Sequence, residues 1–136
     1  MDNIIVKKIW EDSEFFEVNI DFSSDKLSTN IDVYVTNDII NNISMMTMSF
    51  LDKQNSCYFE IGEKNDDYPY IRVNFNKIDL HGNAVLDVYI EYNSEDFDNR
   101  FYCFFPMYIE HGLLYSFGKR IKKLNEMLID ESVSVL

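Results

Sequence analysis

Catalysis near neutral pH asks first for a base that titrates there, and the chain offers two histidines, His81 and His111. His81 sits in Asp79-Leu80-His81-Gly82-Asn83, which reads as a hairpin turn, and His111 precedes Gly112 at the start of a helical pattern. Neither has a second His or a Cys at ligand spacing, so no HExxH or CxxC zinc pattern exists and both read as structural or solvent-exposed. Cys57 and Cys103 each stand alone in aromatic, strand-like surroundings, which predicts reduced, buried thiols rather than a disulfide framework. The four glycines, Gly62, Gly82, Gly112 and Gly118, form neither a GxGxxG nor a P-loop, so no nucleotide cofactor is expected. Two acidic groups, Glu63 with Asp66 and Asp67, and Glu95 with Asp96 and Asp98, raise carboxylate catalysis or calcium binding. Neither has the central glycine and terminal Glu of an EF-hand loop, and both read as polar loops between strands. No catalytic residue, metal site or cofactor is assigned.

The elements that position these groups follow from hydrophobic period. Ile5 to Trp10 reads as a first strand, and Phe16, Val18, Ile20 and Phe22 alternate with Glu17, Asn19 and Asp21 as a half-buried antiparallel strand. Ser23 to Asp25 turns the chain into a strand at Ile31, Val33 and Val35. The period then becomes helical. Ile39, Ile40, Ile43, Met46, Phe50 and Leu51 predict a helix from about Asp38 to Lys53, with Thr36 or Asn37 as N-cap. Its asparagines and β-branched residues are weak helix formers, so packing must stabilise it. Further strands are expected at Cys57 to Ile61, Tyr70 to Phe75, Ala84 to Tyr92 and Phe101 to Phe105, the last closing at Pro106. Leu114, Phe117, Ile121, Leu124 and Leu128, in steps of three and four, predict a final helix laid on a core. The sum is an α+β fold in one domain, residues 1–136. It comprises a largely antiparallel sheet of about six to seven strands, one intervening helix and one C-terminal helix packed on it.

Composition bounds the function. The chain has 136 residues, 46% hydrophobic and 15% aromatic, enough for one core. No apolar run approaches the roughly 20 residues of a membrane helix, and Met1 to Trp10 lacks the layout of a secretion signal, so a cytoplasmic location and no membrane partner are expected. The 24 acidic residues against 12 basic ones give a net charge of −12, which argues against nucleic acid as a partner. The one basic cluster, Lys119, Arg120, Lys122 and Lys123, reads as a solvated face complementing a helix C-terminus. Acidity can serve solubility alone or attract a basic partner.

A candidate binding surface emerges from the outward strand positions Glu17, Asn19, Asp21, Asp32, Tyr34, Asp87, Tyr89 and Glu91. If these strands share a sheet, carboxylates and tyrosines stud one face, which suits capture of arginine-bearing protein. The alternative is that tyrosine merely favours strands and the carboxylates face water. Phe15 to Phe22, the Ile31 to Val35 strand leading into a helix, Tyr58-Phe59-Glu60-Ile61-Gly62, Gly82-Asn83-Ala84-Val85-Leu86-Asp87-Val88 and the closing Leu113 to Leu128 segment resemble those of WapI-type immunity proteins of bacterial polymorphic toxin systems. The resemblance implies a non-enzymatic antidote that binds and neutralises a cognate toxin, often a nuclease domain, and it transfers no contact residues. Two other classes stay open. One is a ligand carrier with an apolar cavity lined by Phe59, Phe75, Phe101 and Phe105, and the other a low-turnover enzyme using Asp66 or Asp96.

Overall fold

The computed structural model describes residues 1–64, 69–94 and 99–136. In chain order it runs β1 (Asn3–Glu11), β2 (Phe16–Ser23), β3 (Ser28–Val35), α1 (Asn37–Lys53), β4 (Cys57–Ile61), β5 (Tyr70–Ile78), β6 (Asn83–Ser94), β7 (Asn99–Glu110), α2 (His111–Arg120), a 3-10 turn (Ile121–Glu126) and β8 (Ser132–Ser134). The class is α+β, as expected. The single sheet of six to seven strands is not what forms. Eight strands divide into two four-stranded antiparallel sheets, ordered β3-β2-β1-β8 (sheet A) and β4-β5-β6-β7 (sheet B).

Local chemistry explains the reversals. The Asp12 carboxylate accepts from the backbone N–H groups of Glu14 (2.8 Å) and Phe15 (3.0 Å), an Asx turn that sends β1 into β2. Those two donors also hold its pKa below the ordinary carboxylate value. The Asp79 carboxylate does the same for His81 and Asn83 (2.9 and 2.8 Å), and Gly82 supplies the positive φ of 81° that the β5–β6 hairpin needs. The Thr36 hydroxyl caps α1 by accepting from the Ile39 N–H at 3.2 Å, settling which of the two expected caps is used.

The inner faces of both sheets and the apolar faces of both helices meet in one core. Phe22 of sheet A reaches Phe105 of sheet B edge to face at 6.4 Å, and Phe50 of α1 stacks on Phe75 at 5.2 Å. Two sheets form because α1 interrupts the strand series, leaving β3 and β4 as edges of different sheets. The final helix is shorter than its period suggests. It ends at Arg120, tightens into the 3-10 turn, and leaves Leu128 exposed. The chain then folds back as β8, pairing Val133 with Val6. Strand β7 does not stop at Pro106 but runs to Glu110, because β7 is an edge strand and a missing N–H is tolerated there.

Candidate functional site

Cross-strand register fixes which outward residues are neighbours. On the outer face of sheet A, Glu17 lies between Trp10 of β1 and Tyr34 of β3, Asn19 between Lys7 and Asp32, and Asp21 between Ile5 and Asn30. Five of the eight expected binding residues, Glu17, Asn19, Asp21, Asp32 and Tyr34, therefore form one surface. Trp10 joins them through a β-bulge. The pairing of β1 with β2 slips by one residue between Lys8 and Trp10. Without that slip Ile9 would face Glu17 and Trp10 would turn toward the core.

The Trp10, Phe15 and Tyr34 rings pack against one another at 5.5–6.2 Å, two of the three pairs edge to face. Trp10 is still 42% exposed and Tyr34 50%, so ring surface on both sides of Glu17 remains accessible. An open groove of about 640 Å³ continues from these rings past Thr36 and Ile39 to Glu63 and Pro69. Partial burial pushes the Glu17 carboxyl above its usual range, and the nearby Asp32 charge adds to the effect. Asp32 accepts from the Asn19 amide at 2.7 Å, and the same amide nitrogen donates to Asn30 at 2.6 Å. No ion pair among the described residues uses Glu17, Asp21 or Asp32; Lys7 is drawn to Asp130 at 3.8 Å. A guanidinium laid on the exposed ring surface beside Glu17 would meet a π-face and a carboxylate that no ion pair among the described residues neutralises.

The remaining three expected residues, Asp87, Tyr89 and Glu91, lie on the outer face of sheet B, so the eight do not share one sheet. There the groups are already matched. Glu91 is buried, accepts from Arg100 at 3.0 Å and receives the Tyr89 hydroxyl at 3.1 Å. Asp87 accepts from Asn76 at 2.5 Å, and the Tyr89 ring sits between Tyr70 and Tyr102 at 6.0 and 6.5 Å. Arg72 lies over Tyr58 at 3.9 Å, and Tyr70 donates to Glu60 at 2.5 Å. Burial, with the Glu60 charge, raises the Tyr70 phenol to about 12.

Cys57 and Cys103 are free thiols, half-buried rather than fully buried as expected, and partial burial pushes both above the ordinary thiol value, which favours the protonated form. Among the described residues no group of three His, Cys, Asp or Glu side chains could hold a metal ion. Asp66, Asp67, Glu95, Asp96 and Asp98 lie outside the described residues. The void that Phe59 and Phe75 border in the core measures about 30 Å³, room for no more than a few waters, and Phe101 stands exposed at the far end of β7. No helix is long and apolar enough to cross a membrane among the described residues.

No protein-family model matches the chain, and no curated protein matches it. Among solved structures it is similar to WHY3 from Arabidopsis thaliana, at 8% identity and a TM-score of 0.43 over 89% of this chain and 79% of that one. It is also similar to the plant transcriptional regulator PBF-2, at 8% identity and 0.42 over 89% and 73%. Beside a transcriptional regulator, the exclusion of nucleic acid drawn from the net charge is corrected and withdrawn, because overall charge does not describe each face of a chain. At such scores the likeness carries no argument for any particular ligand.

Proposed function

We propose that the chain is a non-enzymatic binding protein of the immunity type, which neutralises a basic toxin domain by docking it on the outer face of sheet A. The observation that supports this is the row Trp10, Glu17, Tyr34: a carboxylate with no ion-pair partner among the described residues, set between two accessible rings beside an open groove. Exposed salt bridges are weak, about 0–1 kcal/mol each, but a carboxylate desolvated at an interface and flanked by aromatic anchors contributes more. The acidic balance of the chain adds long-range attraction that speeds capture of a basic partner. The test is co-expression and co-purification with the toxin domain encoded beside the gene. Rescue of growth and a stable complex are expected, with Glu17→Lys and Trp10→Ala losing both while remaining folded. A complex indifferent to both substitutions, or no complex and no rescue, would overturn the reading.

A further inference from the structure

We infer that the free edge of β7 pairs two copies of this chain, strand against antiparallel strand, about a two-fold axis at Tyr102. The inference is independent of the immunity reading and uses the opposite sheet. Pairing within sheet B fixes which backbone groups point outward. The His111 N–H reaches the Gly82 carbonyl at 3.0 Å, continuing the register in which odd-numbered residues of β7 bond to β6. Even-numbered residues therefore direct N–H and C=O away from the sheet.

Among the described residues that edge is blocked at one end and open at the other. The outward N–H of Tyr108 is taken by the Asp2 carboxylate at 2.8 Å, and Pro106, next in the same phase, has no N–H to offer. No acceptor meets the outward N–H of Tyr102 or Phe104 among the described residues. β7 has 12 residues, against three for the edge strand β8, five for β4 and eight for β3. The open end carries four exposed aromatics, Phe104 65%, Tyr102 61%, Phe101 57% and Tyr92 44%, against Tyr108 at 52% on the blocked end.

A second copy fits because the open stretch complements itself. Antiparallel pairing centred on Tyr102 sets Tyr102 beside its own counterpart and Arg100 beside Phe104 of the other copy, twice. Arg100, held by Glu91 at 3.0 Å, then lies against a ring face. At about 200 Å² per ring the four exposed aromatics offer roughly 450 Å² per copy, so the pair buries at most about 900 Å². That is the low end for a specific interface and points to a weak, reversible dimer, with Kd of about 10–100 μM. Like charge opposes it: each copy carries −12, so salt should tighten the dimer as the Debye length falls from about 10 Å at 0.1 M to about 3 Å at 1 M.

Sedimentation equilibrium of the whole chain, up to about 500 μM, above that Kd range, tests this at both salt concentrations. A monomer–dimer equilibrium that strengthens several-fold at high salt is expected. Tyr102→Pro removes one outward N–H in the phase where Pro106 already sits, leaving the β6 ladder untouched, and should abolish the dimer with an unchanged circular dichroism spectrum. Phe104→Lys, placing a cation against Arg100 of the other copy, should do the same without touching the backbone. A wild-type chain that stays monomeric overturns the inference, even if its edge binds a strand of some other protein. So does a dimer that survives Phe104→Lys.

Discussion

Gly118 lies where α2 crosses α1, and replacing it by alanine is the most quantitative test of how the helices hold the two sheets. A Cβ built there would stand 2.9 Å from Thr47 Cγ2, 3.0 Å from Met48 Sδ and 3.3 Å from Thr47 Cβ. The Met48 sulfur can swing aside. Thr47 cannot, because its hydroxyl donates to the Ile43 carbonyl at 2.8 Å and rotating the methyl away would break that bond. The helices must separate instead, stretching the 2.6 Å bond from the Ser44 hydroxyl to the Gly118 carbonyl. Overpacking costs about 1–3 kcal/mol, and with Thr47 held in place the upper part of that range, about 2–3 kcal/mol, applies; the gain of about 1 kcal/mol in helix propensity offsets part of it. A net loss of about 1–2 kcal/mol corresponds to a Tm lowered by roughly 3–10 °C for a chain this size. Thermal unfolding followed by circular dichroism measures it. Adding Thr47→Ser, which deletes the clashing methyl, should recover at least half of the loss, a coupling that a generic effect of alanine would not produce. A Gly118→Ala protein as stable as wild type, or one that Thr47→Ser does not rescue, refutes the clash.

Two further predictions concern protons. The Glu17 carboxyl titrates higher in the folded chain than its ordinary 4.5, so the folded state holds that proton more tightly and this group's contribution to stability declines as pH rises from 4.5 through the folded value. Glu17→Gln should flatten that part of the stability-against-pH curve and leave stability at pH 7 (about neutrality) no lower, measured by urea unfolding across the acid range. The Tyr70 phenol, raised to about 12, should titrate late in an absorbance titration, and its preference for the neutral form implies stability that is lost as pH climbs from 10 toward 12. Tyr70→Phe should shrink the late-titrating component, leaving what the Tyr89 phenol contributes, itself raised by burial and Glu91; an unchanged component would count against the assignment.

Much of the fold was legible because alternation is a local signal. Phe16 to Phe22 buries every second residue as the pattern requires, and the Ile and Phe face of α1 packs inward. What alternation cannot report is partnership, so the division into two sheets was invisible. Ser132–Ser134 is too short to announce itself as a strand and exists because β1 offers it an edge. Five of the eight surface residues were placed together correctly by their phase. Glu91 was not legible as buried and paired, since its partner Arg100 comes from the next strand. Trp10 and Phe15, whose rings adjoin this candidate surface, were not expected there. The available signal was the broken alternation after Lys8 followed by Asp12, the signature of a bulge and a turn.

Lys8, fully buried on the inner face of β1, ties down the end of the chain. Its ammonium donates to the Met127 carbonyl at 2.9 Å, its backbone N–H reaches the Glu131 carbonyl at 3.0 Å, and its carbonyl receives the Asp130 N–H at 2.7 Å. All three partners are synthesised about 120 residues after Lys8 itself. At roughly 5–20 residues per second, β1 waits about 6–24 s on the ribosome with that ammonium offered Glu11 (3.2 Å) but not the Met127 carbonyl, and with one edge uncovered. During synthesis, then, β1 is made before the other described strands yet is among the last of them to be completed, and a cell that slows translation lengthens the interval in which β1 is open to the wrong neighbour.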